Sequence, residues 1–174
     1  MAITRLGGAT AITGTIPQGN IANASLGAVT ALPGAIATGK VLQVVTATDS
    51  TSRNTTSSSY TLASSSLTAN ITPSATSSKI YVMITGGMYI NTNNRRGYIT
   101  IFRDSTNLSG DDGFAQVFAA AAAPLVPFAV SVLDSPSSTS QITYQIRIKS
   151  QSGSTFYINE YQSKSSITLY EIGA

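Results

Sequence analysis

Short segments rich in β-branched and aromatic residues recur along the chain after residue 40, separated by polar turns. The clearest of them is the segment 79–85. One side of this segment carries Ile80, Val82 and Ile84, and the other carries Tyr81 and Met83. A period of two places these two sets on opposite faces of a β-strand. Because both sets are apolar, we expect both faces of the strand to be covered.

Further short segments rich in β-branched and aromatic residues, separated by Ser, Gly and Pro turns, bring the prediction to about nine or ten strands. These segments are 40–48, 60–62, 67–71, 98–104, 125–133, 141–149, 155–160 and 166–172. No sustained 3.6-residue period appears, so the sequence predicts an all-β, antiparallel, jelly-roll-like β-sandwich over residues 40–174. Its expected core residues are Val41, Val44, Ile80, Val82, Ile84, Ile99, Ile101, Val130, Val132, Ile142, Ile146, Ile148, Ile158, Ile167 and Leu169.

Three segments carry more specific expectations. Gly86 and Gly87 permit a bulge, through which the strand would continue over residues 88–90. The polar segment 91–97 (NTNNRRG) predicts the turn of a long hairpin. In residues 114–123 the run of five alanines favours helix, which competes there with a strand.

The N-terminal segment has a different composition. The 34 residues from Leu6 to Gly39 contain no charged side chain and include seven glycines. Small side chains and glycines cannot build a core alone, and the Ile, Leu and Val content differs from that of a solvated tail. We therefore interpret residues 1–39 as an extended arm that anchors the protein to other proteins; the alternative is that it folds back on its own domain. Its candidate contact residues are Ile3, Leu6, Ile12, Ile16, Ile21, Leu26, Val29, Leu32 and Ile36.

The composition excludes several classes of partner. Charged residues make up 10% of the chain and the net charge is +3, with no basic stripe of the kind that binds nucleic acid directly. There is no cysteine to indicate a secreted disulfide framework, and the arm has no uninterrupted apolar run for a signal peptide or a membrane span. With 42% hydrophobic residues, one sandwich would expose more apolar surface than a monomer usually tolerates, so we expect a homo-oligomer.

Few residues are available for catalysis. The chain has no histidine and no cysteine, which removes the common nucleophile–base pairs and zinc sites built on nitrogen or sulfur. Among the seven carboxylates, Glu160 and Glu171 are a pair that could meet across strands, whereas Asp111 and Asp112 lie in a turn. The segment Asp104–Asp112 is rich in oxygen ligands but lacks the spacing of a calcium-binding loop. We predict no enzymatic activity, no cofactor and no metal site.

Two groups of residues suggest contacts with other molecules. Asn93, Asn94, Arg95 and Arg96 form a candidate surface-contact loop that could grip a sugar or a phosphate group; the alternative is a solvated hairpin tip. The eight tyrosines and five phenylalanines fall mainly within predicted strands. This placement favours packing in the core or between subunits over a saccharide-binding surface.

Three stretches of the sequence together resemble a known group of proteins. They are the opening MAITRLGGATAITGTIPQGN, the strand SSKIYVMITGG and the ending Ile167–Ile172 (ITLYEI). In this respect the chain resembles small virion proteins of tailed bacteriophages, most of all those of marine and cyanobacterial phages. The resemblance implies a short arm before a compact jelly-roll-like domain, a structural role on the virion, and a homotrimer.

Two structural roles fit this resemblance. A capsid decoration, or cement, protein would bind the assembled shell and its major capsid protein through the arm. A short tail fibre or receptor-binding protein would use the same arm to attach to tail components and would contact a host surface glycan. Gly39 leads directly into a predicted strand without a shaft repeat, which favours decoration. An enzyme such as a glycan depolymerase would need a carboxylate cleft that the sequence barely supplies.

Overall fold

A computed structural model describes residues 40–120 and 125–173 of this protein, and within them the secondary structure is almost entirely β. A short 3₁₀ turn lies at Ser65–Leu67, and Glu160–Gln162 form a turn that contains left-handed residues. The strands are β1 (Val41–Asp49), β2 (Arg53–Thr55), β3 (Thr61–Leu62), β4 (Thr68–Ile71), β5 (Lys79–Ile90), β6 (Arg95–Arg103), β7 (Thr106–Asn107), β8 (Ala115–Ala119), β9 (Leu125–Asp134), β10 (Ile142–Ser150), β11 (Phe156–Ile158) and β12 (Ser165–Ile172). The predicted arm, residues 1–39 with its nine candidate contact residues, lies outside the described residues.

The strands form two antiparallel sheets. In the first sheet β12 lies between β1 and β5, β11 continues the line of β12 between β2 and β5, and β9 pairs with the other edge of β5. In the second sheet β10 lies between β6 and the pair β3 and β4, and β7 and β8 pair with the far edge of β6.

The strand order is that of a jelly roll. Four pairs of consecutive strands each occupy a single strand position in a sheet. These pairs are β1 with β2, β3 with β4, β7 with β8, and β11 with β12. Counted in this way there are eight strand positions, and their order is 1-8-3-6 in the first sheet and 2-7-4-5 in the second. Two four-stranded sheets with this strand order define the jelly-roll fold. The predicted antiparallel, jelly-roll-like β-sandwich is confirmed.

Most of the predicted core lies between the two sheets. Eleven of the fifteen expected residues are buried, and Val130 and Val132 are partly buried against the same core. The expectation is wrong for Val41 and Val44, which are about half exposed. Val44 lies opposite Tyr170 on the outer face of the sheet, whereas Val45 lies opposite the buried Leu169 and packs against the core. A register shift between Val41 and Gln43 interrupts the alternation before Val44.

The structure corrects two other local predictions. The segment 91–97 does not form a hairpin, because β5 and β6 belong to different sheets and the turn crosses from one sheet to the other. Ala115–Ala119 form strand β8, paired with β6, rather than the helix that competes there in the sequence. Residues 121–123 of the alanine run lie outside the described residues.

The glycine pair in β5 does not form a bulge against β9, although the strand does continue to Ile90 as expected. The pairing with β9 is in unbroken register from Ile80 to Tyr89. The glycines are needed for close packing: a Cβ on Gly86 would lie 2.8 Å from the Phe128 ring and would also collide with the Ser165 hydroxyl.

Candidate functional site

The predicted surface-contact loop connects β5 of the first sheet to β6 of the second sheet. Asn93, Asn94 and Arg96 are exposed and Arg95 is half-buried. Asn94 adopts a left-handed conformation (φ 57°), which asparagine tolerates better than most residues, and its N–H donates to the Ala119 carbonyl. Arg95 and Arg96 are consecutive residues of β6, so their side chains lie on opposite faces of the strand: Arg95 is near Gly153 and Arg96 lies on the Phe118 side.

Neighbouring elements hold this loop in place. The backbone N–H of Arg96 donates to Gln151 Oε1 (3.0 Å), and the Gln151 N–H donates to the Arg96 carbonyl (2.8 Å). The Arg96 guanidinium lies 4.8 Å from the centre of the Phe118 ring, a cation–π arrangement. Beside the loop, a cleft of about 240 Å³ is lined by Thr56, Asn91, Thr92 and residues 153–155. The cleft residues are polar, but none of the four predicted contact residues lines the cleft.

The predicted carboxylate pair does not form. Glu171 lies near one end of β5, opposite Ile80, whereas Glu160 follows the strand that pairs with the other end. Glu171 is 1% exposed. It accepts hydrogen bonds from Ser74, Ser78 and Gln43 at 2.6–2.7 Å. Burial alone would raise the pKa of Glu171, but these hydrogen bonds outweigh it and lower the pKa to about 2. Glu171 thus fixes β12 to the segment before β5.

Two other carboxylates also serve as structural anchors. Asp49 is buried, which opposes ionisation, but hydrogen bonds from Ser64, the Thr51 N–H and Arg53 hold its pKa well below the usual value. Asp134 binds Nη1 of Arg103 with both carboxylate oxygens at 2.9 Å. The charges of these groups are used to join strands within the domain.

The oxygen-rich segment 104–112 uses its ligands internally. Asn107 Oδ1 accepts from the Thr100 hydroxyl (2.6 Å) and from the Ser109 N–H (3.1 Å). The Asp111 carbonyl accepts from Tyr60 and Lys149. Within residues 40–120 and 125–173, no three acidic, histidine or cysteine side chains cluster as metal ligands. The same part of the chain contains no helix long and apolar enough to cross a membrane.

The outer face of the first sheet carries an apolar row that sequence reasoning missed. Val44, Tyr170, Tyr81 and Leu133 lie side by side across β1, β12, β5 and β9. Val44 is 55% exposed and Leu133 54%, and the rings of Tyr81 and Tyr170 are 6.1 Å apart. Val41 and Leu42 extend the exposed surface toward residue 40. The alternation Tyr81–Met83 was the available signal, because it places apolar residues on the face opposite the core.

The other end of the same face carries a second row, formed by Asn54, Tyr157, Tyr89 and Leu125. The ring of Tyr161 stands edge-on to that of Tyr89, with 6.1 Å between the ring centres. An open groove of about 490 Å³ lies next to this row. It is lined by Thr85, Gly86, Gly87, residues 125–129, Ser163 and Lys164.

Comparisons with known proteins add little to this description. Neither the protein-family models nor the curated proteins give a match. Among solved structures, the chain is similar to a mutant VP2 protein of infectious bursal disease virus in derived T=1 particles, with 14% identity and a TM-score of 0.36. That match covers 75% of this chain and 39% of the VP2 chain.

A structure of the Gx strain of infectious bursal disease virus is similar with 13% identity and a TM-score of 0.28, over 78% of this chain and 40% of the other. The chain therefore spans about two fifths of the length of the solved chains that it matches. Neither likeness is close enough to assign a fold or a function, and the jelly-roll assignment rests on the strand order of this chain.

Proposed function

We propose that this protein is a non-enzymatic virion structural protein that decorates the capsid and binds the assembled shell through residues 1–39. The single observation that carries the proposal is the exposed apolar row of the first sheet. A contiguous apolar surface of this kind is typical of a protein–protein contact. The resemblance of the sequence to small phage virion proteins supplies the class of particle.

The edge of the first sheet supports attachment to other chains. Within the described residues, β1 pairs only with β12, so its other edge presents backbone N–H and C=O groups. Residues 41–48 of this strand carry no charge, the feature that most often blocks addition of a foreign strand. A strand from a neighbouring protein can extend the sheet here by main-chain hydrogen bonds.

Residues 1–39 would act as the attachment segment. They join the domain at Lys40, next to the exposed side chains of Val41 and Leu42. The charge-free stretch within them fits apolar seams between subunits of a shell. Many copies, each adding modest burial, would resist the pressure of packaged DNA collectively, because ligands that bind only the assembled lattice stabilise it by linkage. We propose a homotrimer whose contacts use the apolar row.

The second candidate is a short tail fibre or receptor-binding protein. The observation that favours it is the row of tyrosines on the first sheet, because aromatic surfaces suit contacts with host glycans. In that role residues 1–39 would bind tail components, and the sandwich would point away from the particle.

Localisation on the particle separates the two candidates. Antibodies against the sandwich, visualised on intact particles by electron microscopy, should label the whole head surface if the protein is a decoration protein. Particles that lack it should also release DNA at a lower temperature. Label confined to the tail would overturn the decoration proposal in favour of the fibre, and equal heat stability of both particles would contradict a cement role.

A further inference from the structure

We propose that the first sheet continues from one copy of this protein into the next, with β1 of one copy paired antiparallel to β9 of its neighbour. This inference rests on the proposed homo-oligomer and names the strands that form its contact. It does not depend on where the protein is located on a particle, or on what residues 1–39 bind.

The first sheet has two long free edges. Within residues 40–120 and 125–173, β1 pairs only with β12 and β9 pairs only with β5. β1 has nine residues and β9 has ten, and neither residues 41–48 nor residues 125–133 include a charged side chain. The edges of the second sheet are interrupted strands with two to five residues in each piece. Short or charged edge strands discourage pairing with a further strand, and the first sheet lacks both protections.

Apolar side chains at both edges are incompletely covered. In the central strands β5 and β12, side chains that face the core, such as Ile84 and Leu169, are fully buried. The corresponding side chains of the two edge strands pack against the core but are only partly buried. They are Val45 and Ala47 in β1, and Val130 and Val132 in β9. A further strand on each edge would remove these side chains from water, which stabilises the contact.

The strand directions permit a head-to-tail contact. Each neighbouring pair in the order β1, β12, β5 and β9 is antiparallel, so β9 runs opposite to β1. A copy placed beside β9 in the same orientation therefore presents its own β1 antiparallel to that strand. Each copy then uses two different edges, and a contact of this type can close into a ring, as a homotrimer requires.

The main-chain hydrogen-bonding groups of β9 point to its free edge at the required positions. In an antiparallel sheet, one residue directs its N–H and C=O to one side and the next residue directs them to the other. The Asn159 N–H donates to the Gly87 carbonyl, so Gly87 and every second residue of β5 from it point away from β9. Tyr81 is one of these residues. Leu133 lies opposite Tyr81, and its N–H and C=O therefore point to the free edge.

The groups of β1 are in phase with those of β9. Tyr81 directs its N–H and C=O to Tyr170 of β12, and Tyr170 directs its own back to Tyr81. Val44 lies opposite Tyr170 on the other side, so its N–H and C=O point to the free edge of β1. Val44 of one copy and Leu133 of the next can therefore form a hydrogen-bonded pair.

The row of opposite residues selects the register of this pairing. With Val44 opposite Leu133, the apolar row continues from one copy to the next. The resulting pairs are Val44–Leu133, Val45–Val132, Thr46–Ser131 and Ala47–Val130. A shift by one residue would place outward side chains opposite inward ones. A shift by two residues would bring into the pairing either Pro127, which has no N–H, or Asp134, which is paired with Arg103.

Engineered cysteines test this pairing, because the chain has no cysteine of its own. The Cα atoms of a hydrogen-bonded antiparallel pair lie about 5.5 Å apart, a distance that a disulfide can span. The test protein is the full chain with Val44→Cys and Leu133→Cys, oxidised with diamide and separated on a non-reducing gel. The matched control carries Thr48→Cys and Leu133→Cys, since the proposed register places these residues four positions, or roughly 13 Å, out of line.

We expect the test protein to form disulfide-linked dimers and trimers, with at least about fivefold more cross-linked chain than the control. Val44→Cys alone and Leu133→Cys alone should give no cross-linked chain, because a head-to-tail contact never places two copies of one residue together. Disulfide-linked dimers of either single variant would indicate a symmetric contact between like edges and would overturn the proposal. Equal cross-linking of the test protein and the control would also overturn it.

Sedimentation velocity of the parent protein separates this proposal from the one on which it rests. If the parent associates but the test protein does not cross-link, only the strand pairing is wrong. If the parent remains a monomer, the homo-oligomer is wrong as well. The circular dichroism spectrum of each reduced variant establishes that it is folded.

Discussion

The two ends of the outer face of the first sheet have the same architecture and different surfaces. At one end, Val44, Tyr170, Tyr81 and Leu133 form a continuous row on four paired strands. At the other end, the row that includes Tyr157 and Tyr89 lies next to a break between β11 and β12. The continuous end exposes apolar side chains, which suits another protein. The interrupted end has an open groove of about 490 Å³ between β9 and the loop after β11.

The difference lies in backbone continuity more than in residue type. Tyrosines occur in both rows, at 81 and 170 in one and at 89 and 157 in the other. Where β12 pairs without interruption, side chains cover the sheet. Where the loop 159–164 leaves the sheet, Ser163 packs against Gly87, and an open groove lies beside them. Identical aromatic residues can therefore belong to two different kinds of surface.

The largest effect is expected at the glycine pair that separates the two ends. Gly86→Ala places a Cβ 2.8 Å from the Phe128 ring and into the Ser165 hydroxyl, both in the packed interior. We expect a loss of about 3 kcal/mol in the free energy of unfolding, measured by urea denaturation. Gly110→Ala is the matched control, because no atom lies within 4 Å of its Cβ. A similar loss in both variants would mean that close packing does not explain the glycine.

The apolar end should weaken at low pH because Glu171 lies beneath it. The pKa of Glu171 is lowered from 4.5 to about 2, so the folded state favours the ionised form. Its contribution is complete above about pH 5 and is lost as the pH falls toward 2; we expect about 2 kcal/mol. Glu171→Gln should remove this part of the pH dependence, measured by urea denaturation from pH 7 to 2, while the part due to Asp49 remains. Equal pH dependence in both proteins would contradict the assignment.

A charge in the apolar row should separate the subunits. Val44→Lys places an ammonium on a surface that we propose is buried in the homo-oligomer, and we expect the association constant to fall about tenfold or more. Sedimentation velocity at several protein concentrations measures the change. Thr48→Lys is the control, because Thr48 is an exposed residue on the same face of β1 beyond the apolar row. If the two variants associate equally well, the apolar row is not the subunit contact.

The smallest effect on stability is expected in the loop beside the groove. Tyr161→Asn should change the free energy of unfolding by less than about 0.5 kcal/mol, because the ring is 72% exposed and asparagine accepts the left-handed backbone. Thermal unfolding followed by circular dichroism tests this expectation. A loss as large as that of Gly86→Ala would make Tyr161 a structural residue and remove the contrast between the two ends.

The fold class and most of the core could be predicted from the amino-acid sequence. The period of two in residues 79–85 identifies the buried side of β5, because side chains in a strand must alternate between faces. Ile99, Ile101, Ile146 and Ile148 could be assigned to the core for the same reason, and all four are buried. The lack of histidine and cysteine likewise excludes, from the sequence alone, catalytic pairs and zinc sites that depend on these residues.

The pairing of the strands could not be predicted from local patterns, and the composition of each surface depends on that pairing. Val44 faces outward because it pairs with Tyr170, on the face away from the core, and Ala115–Ala119 form a strand because β6 supplies their hydrogen bonds. Glu160 and Glu171 are separated because their strands pair with opposite ends of β5. The groove beside Gly87 arises from an interruption between β11 and β12. Local periodicity reports which side of a strand is apolar, but pairing partners come from residues distant in the chain, which no local pattern contains.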